Sequence, residues 1–534
     1  MEVNKPGLER MVVYDFISVL EHLNKKDKMC LRAVNTNLHS LINQLEDTFK
    51  VWRVGNVNSD KLMRVADEIQ IIEDLTLKLS SNDVGLAFVH LIENHPEIHT
   101  LDLSLHVQGA LQSDFILLAV FSIMELNSLY VRNLTGKGEL LESVRVSSSL
   151  EKLLLSKCIQ LSNKGFRLIL RNFCGGLKEL ILHRVSVSRI GVKKEEKVLP
   201  MIEKLVLDEC FNLNDARLSE ILATCGTQIR ELRIIKSNQI KDSVVKRDLE
   251  ISFPCLEILK IRRCVKMTEK GLHNILRMSG SELKELSLFG MMIHGKGFAE
   301  KVKPFPKLKF LNLKDCNNID DAGLSQILAS CGNNLEELNI LNLEKIKNIN
   351  DGKISFPCLE KLFLDGCINI TDKGLYNILR MCGGELEELS LDGLKLIRGQ
   401  DFMREVKPFP KLEILDMTSC GYVTHENLHE IFRALGGSIR ELYLSSDKVD
   451  LLCLDGCLNS LSKLEILHLE YCLMIRPSRF QQVFDMVGKS VKTLSVSNVY
   501  SNFSSELEEK MRIAYPQLEL IVSRLEEDPW KDFP

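Results

Sequence analysis

Seven cysteines recur at near-constant spacing along this chain: Cys158, Cys210, Cys264, Cys316, Cys367, Cys420 and Cys472, separated by 51 to 54 residues. Each lies eight residues beyond the leucine or isoleucine that opens an L-x-x-L-x-L run. Leu359-Glu-Lys-Leu362-Phe-Leu364-Asp-Gly-Cys367 matches Leu308-Lys-Phe-Leu311-Asn-Leu313-Lys-Asp-Cys316 position by position. A register of this length requires a stack of like units, a solenoid, because each unit has too little apolar surface to fold alone.

Openings of this kind begin at Leu150, Leu177, Ile202, Ile229, Leu256, Leu283, Leu308, Leu335, Leu359, Leu386, Leu412, Ile439, Leu464, Val491 and Leu518, with fainter copies at Ile72, Ile98 and Leu126. That gives 18 units of 24 to 28 residues over residues 72–523. Within a unit the apolar period changes from two to about 3.6. Leu256, Leu259 and Ile261 read as a short strand, and Leu272, Ile275 and Leu276 as an amphipathic helix. Thr371-Asp372-Lys-Gly374-Leu375 reads as the helix start, its Thr or Asp capping orphan N–H groups. Cys331-Gly332 and Cys382-Gly383-Gly384 read as helix ends in which glycine supplies a left-handed C-cap. A block of four units was duplicated whole: Ser252-Phe-Pro-Cys255 returns as Ser355-Phe-Pro-Cys358, an offset of 103 residues. The strands are expected to be parallel and the crossovers right-handed, placing helices on the outside of a curved horseshoe and strands inside.

Composition excludes several classes. A net charge of −4 offers no global electrostatic case for nucleic acid or a membrane surface. Seven of the 16 cysteines recur at one structural position in alternate units, which reads as stacked buried thiols in a reducing compartment, cytosol or nucleus. No phosphate loop, nucleophile elbow or paired C-x-x-C occurs, so no cofactor, metal or catalytic site is expected and the chain does not read as an enzyme. His90, His95 and His99, with His106 beyond, straddle a helix end and the next strand, where convergence on one metal is not expected.

The pattern L-x-x-L-x-L-x-x-C followed by an Asp-x-Gly-Leu helix start resembles the cysteine-containing class of leucine-rich repeats. Residues 8–50 break the repeat. Their two short apolar faces, Val13, Phe16, Ile17, Leu20 and Leu23, then Leu31, Val34, Leu38 and Leu41, flank a turn at Lys26-Asp27. With Leu8 opening the run, this stretch resembles an F-box, although Glu9 stands where that motif has proline and Leu38 where it has tryptophan. The resemblance implies a substrate receptor of a cullin–RING ubiquitin ligase of the SCF type. Leu8, Val13, Phe16, Ile17, Leu20, Leu23, Leu31 and Val34 would dock a Skp-type adaptor and, through it, the cullin scaffold, while the solenoid holds a protein substrate. The other reading of the same residues is a helical cap over the first repeat's apolar edge, in a scaffold that meets no ligase. The expected organisation is an all-α module at 8–50, a connecting segment at 51–71, the solenoid, and an acidic tail at 524–534.

Substrate contacts are expected where side chains alternate with the strand leucines. Arg233, Lys236, Lys260, Arg262 and Arg263 make this face basic early, and Asp365, Asp392, Asp416 and Glu470 make it acidic late. One reading is a dipolar groove whose Arg262 and Arg263 clamp an acidic or phosphorylated segment. The other is a solvated face whose charges vary freely.

Overall fold

The computed structural model describes residues 51–68, 71–80, 84–106, 110–143, 150–173, 175–187, 201–242, 251–298, 304–349, 354–399, 408–420, 423, 425–445, 461–470, 491–499 and 505–524. The F-box-like segment, Cys472 and residues 525–534 lie outside the described residues. The chain divides into two compact units, residues 1–193 and 194–534.

In the first unit, β1 (Val51–Val57), β2 (Asp74–Leu79), β3 (Thr100–Leu105), β4 (Ser128–Arg132), β5 (Lys152–Ser156) and β6 (Glu179–His183) pair in sequence order, all parallel. Helices α1 (Ser59–Glu68), α2 (Val84–Asn94), α3 (Ala110–Val120) and α4 (Asn163–Phe173) connect them. Residues 51–71, expected as a connecting segment, supply a strand and a helix of the array. Val51-Trp-Arg-Val-Gly-Asn-Val57 carries no leucines, which hid it from a leucine pattern.

The second unit continues the rule with β7 (Lys204–Asp208), β8 (Glu231–Ile235), β9 (Ile258–Arg262), β10 (Glu285–Ser287), β11 (Phe310–Asn312), β12 (Glu337–Asn339), β13 (Lys361–Phe363), β14 (Glu388–Ser390), β15 (Ile414–Met417), β16 (Glu441–Ser445), β17 (Ile466–Glu470), β18 (Thr493–Val499) and β19 (Glu519–Arg524). Every neighbour pair among these strands is parallel and in register, apart from one register shift between Ser497 and Val499 in the last pair. All 18 leucine-type openings therefore lead into a strand, and the fold is a leucine-rich-repeat solenoid.

Strand side chains alternate. In β9, Leu259 and Ile261 are buried while Ile258, Lys260 and Arg262 are half-buried on the other face. The register aligns one leucine per strand, from Leu205 and Leu232 through Leu362 to Leu494 and Leu520, each no more than 6% exposed. Each such leucine contributes about 1.5–3 kcal/mol of transfer free energy. Helices α5 (Asp215–Thr224), α6 (Glu269–Met278), α7 (Asp321–Ala329), α8 (Asp372–Met381) and α9 (His425–Leu435) follow the cysteine-bearing strands. Their caps are those the sequence predicts: Thr371 Oγ1 accepts from the Gly374 N–H at 3.2 Å, and Asp320 Oδ1 from Gly323 at 2.9 Å.

The cysteine column has a partner that its smallness alone did not reveal. The thiols of Cys316, Cys367 and Cys420 donate to carbonyls of the preceding unit, Leu288 at 2.9 Å, Ile340 at 3.0 Å and Leu391 at 3.2 Å. Burial pushes each of these thiols up to about 12, so they are unreactive spacers.

At the starts and ends of the helices glycine has two structural jobs, and neither is the expected C-cap. Gly165, Gly271, Gly323 and Gly374 sit inside the first helical turn against a carbonyl of the preceding unit, where any Cβ would overlap that oxygen. Gly332 and Gly383 pack against the backbone of Pro306 and Pro357 in the same way. Neither has the positive φ of a left-handed cap; close approach of successive repeats is what requires them.

Gly323→Ala is expected to cost about 3 kcal/mol through overpacking, read as a lowered denaturant midpoint. Gly85→Ala, in α2 with nothing near the added methyl, should instead stabilise by about 0.5–1 kcal/mol. Equal effects at the two sites would refute the packing explanation.

Candidate partner-binding face

The face of the second unit's sheet that alternates with the leucines carries the predicted charges, but in unequal condition at its two ends. At the basic end, Arg233 on β8 is engaged by Glu231 and Lys236 by Glu209, while Lys260 pairs with Glu285 at 2.5 Å. Lys236 and Arg263 do not lie in strands. They occupy the turn residue that follows, with φ of 50° and 53°, a left-handed conformation that Gly290, Gly366 and Gly393 adopt in other units. Arg262 donates from Nε to Ser287 Oγ at 3.0 Å, and the Arg263 guanidinium lies 4.9 Å from the centre of the Phe289 ring.

The acidic end is crowded. Register places Ser390, Asp416, Tyr443 and His468 side by side across β14–β17. Asp365 and Asp392 follow β13 and β14, where the Asp392 N–H donates to Asp365 Oδ1 at 3.2 Å and Ser390 Oγ also donates to Asp365. Burial pushes the Asp365 carboxyl above its ordinary value, and the neighbouring Asp416 and Asp392 charges push it further. Burial and then Asp416 do the same to Asp392. Glu470 rises through burial, Asp416 and Asp392, with His468 opposing. Asp365, Asp392 and Asp416 form no ion pair among the described residues, although lysines and glutamates pair widely elsewhere on the same sheet.

Beside these carboxylates stands a ring pair. Tyr443 and His468 stack with centroids 4.0 Å apart and planes 6° from parallel. Both address Glu441, the Tyr443 hydroxyl donating to Oε1 at 2.6 Å and His468 Nε2 lying 3.1 Å from it. Tyr443 is visible in the sequence as an aromatic on this face. His468 and Ser390 are not, although the shared register position of Tyr443 and His468 is the signal that finds the pair. Chemically this face can attract and orient a cationic partner, with flat rings to receive an apolar or guanidinium group.

The histidines of the first unit do not converge. His90 pairs with Asp67 at 2.9 Å, His95 with Glu97 at 3.1 Å and His99 with Glu125 at 3.5 Å. Among the described residues no group of three His, Cys, Asp or Glu side chains could hold a metal, and no helix is long and apolar enough to cross a membrane.

No family model matches this chain. It is 27% identical over 152 residues to Antagonist of mitotic exit network protein 1 of Eremothecium gossypii, covering 27% of this chain and 38% of that protein. It is 30% identical over 252 residues to DNA repair protein rhp7 of Schizosaccharomyces pombe, covering 45% of this chain and 44% of that one. The chain thus spans less than half the length of these relatives. Among solved structures it is similar to the Rad7 and Elc1 complex in yeast, at 14% identity and a TM-score of 0.35, covering 97% of this chain and 98% of that chain.

A group whose folded pKa is raised favours folding while protonated, and that contribution is lost as pH rises through the folded value. Asp392→Asn removes the loss. The variant should melt above the parent chain at neutral pH, with the gap closing as pH falls below the ordinary aspartate value of 3.8. Thermal melts across that range check it, and a gap independent of pH refutes the crowding argument.

Proposed function

We propose that this chain is a protein-recognition solenoid that serves as the substrate receptor of a cullin–RING ubiquitin ligase. In this reading it performs no bond chemistry itself. It raises the effective concentration of a bound substrate near the ubiquitin-loaded enzyme. The observation that carries the recognition role is the sheet face of β13–β17, where Asp365, Asp392 and Asp416 crowd, with no ion pair among the described residues, beside the Tyr443 and His468 rings. Self-repulsion among these half-buried carboxylates is relieved when a partner brings positive charge, so the substrate segment is basic. The ligase link rests on the F-box-like residues Leu8, Val13, Phe16, Ile17, Leu20, Leu23, Leu31 and Val34, whose apolar faces suit burial against a Skp-type adaptor. Work in the cytosol or nucleus follows from that role.

A pull-down of purified Skp-type adaptor by the full chain tests the link. Binding is expected, and Leu20→Asp with Leu23→Asp should abolish it. An intact folded chain that binds no adaptor moves the reading to a scaffold outside ubiquitination, with residues 8–42 acting as a cap. Asp365→Lys with Asp416→Lys should leave adaptor binding unchanged while weakening retention of Lys/Arg-rich peptides about tenfold or more, most at low salt. Salt-independent retention would remove the electrostatic basis of the face.

A further inference from the structure

Beyond the strand ends of β7–β10, apolar side chains without a place in the core line up beside cations. Cys210, Cys264 and Met291 fill the buried column, and the residue after each turns outward: Phe211 is 48% exposed, Val265 46% and Met292 49%. Neither Val nor Met has a polar group to present, so these positions return nothing to water. Arg263 is exposed two residues before Val265, its guanidinium over the Phe289 ring, and Lys266 is exposed directly after it. Arg262 uses one of its five N–H donors on Ser287. Arg262, Arg263 and Lys266 form no ion pair among the described residues, whereas the nearby Glu209 is already engaged by Lys236. On this ridge the cations of the β9 unit therefore stand beside exposed Val265, with exposed Met292 in the next unit and Phe211 two units back beyond Asn238.

We propose that this ridge docks a peptide segment of a protein partner in which Asp or Glu side chains alternate with large apolar ones. The apolar side chains would cover Phe211, Val265 and Met292, while Arg262 and Arg263 receive carboxylates in the planar two-point geometry that guanidinium favours. A nucleic acid would use the cations but leave the aliphatic half of the ridge in water, and the chain's net charge of −4 opposes a polyanion. This inference rests on the protein-recognition reading and adds a second partner chemistry, opposite in charge to that of the carboxylate face.

The test pans a phage-displayed random-peptide library on the full chain, then on a variant carrying Arg263→Glu, Val265→Ser and Met292→Ser. All three are surface positions, and an unchanged melting temperature confirms folding. Peptides that carry Asp or Glu next to Leu, Ile or Phe should be enriched on the parent chain and depleted about tenfold or more on the variant. An Asp365→Lys control should retain them. Enrichment of basic or unpatterned sequences, or equal recovery on the ridge variant, overturns the proposal, as does a single-stranded oligonucleotide that outcompetes the recovered peptides. Adaptor capture does not involve the ridge, so loss here with adaptor binding intact separates this inference from the ligase reading.

Discussion

The register of the parallel ladder is the constraint on which the rest depends. From Leu205 to Leu520 each strand sets one leucine directly beside the equivalent leucine of its neighbours. Because side chains alternate with period two, a slip of one residue would turn that column outward and bury the charged one. The cysteine thiols can reach a carbonyl of the preceding unit, and the helix-start glycines can press against the preceding loop, only while this register holds. Repeats that approach too closely for a Cβ tolerate little drift, so the glycines enforce from the helix side what the leucines enforce from the sheet.

The same sheet treats charge in two ways. At the residue after some of the opening leucines, opposite signs meet across neighbouring units and pair: Glu257 accepts from Arg230 at 2.7 Å and Lys284 at 2.6 Å, and Glu465 from Arg440 at 3.0 Å and Lys492 at 2.7 Å. Exposed pairs of this kind are worth roughly 0–1 kcal/mol each, so they reinforce neighbour choice more than stability. A few residues further along the strands the pattern reverses, and Asp365, Asp392 and Asp416 stand together.

The fold was legible because the leucine spacing is a direct image of the strand register, and all eighteen openings lead into strands. The first strand escaped because Val51–Val57 contains no leucine, and the glycines were misread because a close approach and a left-handed cap leave the same letter in the sequence. The site was legible only as a list of charges. Arg233, Lys236 and Lys260 read as available cations, yet each has a glutamate from its own or a neighbouring strand beside it, a fact of register and rotamer that spacing does not carry. Conversely, three aspartates separated by a repeat length look independent in sequence, and become one electrostatic object only when adjacent strands bring them together.

A nearest-neighbour array also separates folding from recognition. The leucine, cysteine and glycine columns belong to the buried side and repeat with little variation, while the exposed side changes from unit to unit: Lys260 and Arg262 on β9, Phe363 before Asp365 at β13, Tyr443 on β16, His468 on β17. Each exposed residue rests on a backbone that its own unit and two neighbours hold in place. A substitution on that face therefore alters what is presented while the buried columns keep the register. The chain can set a carboxylate face and a cationic, apolar ridge on one scaffold because the leucine, cysteine and glycine columns lie on the buried side.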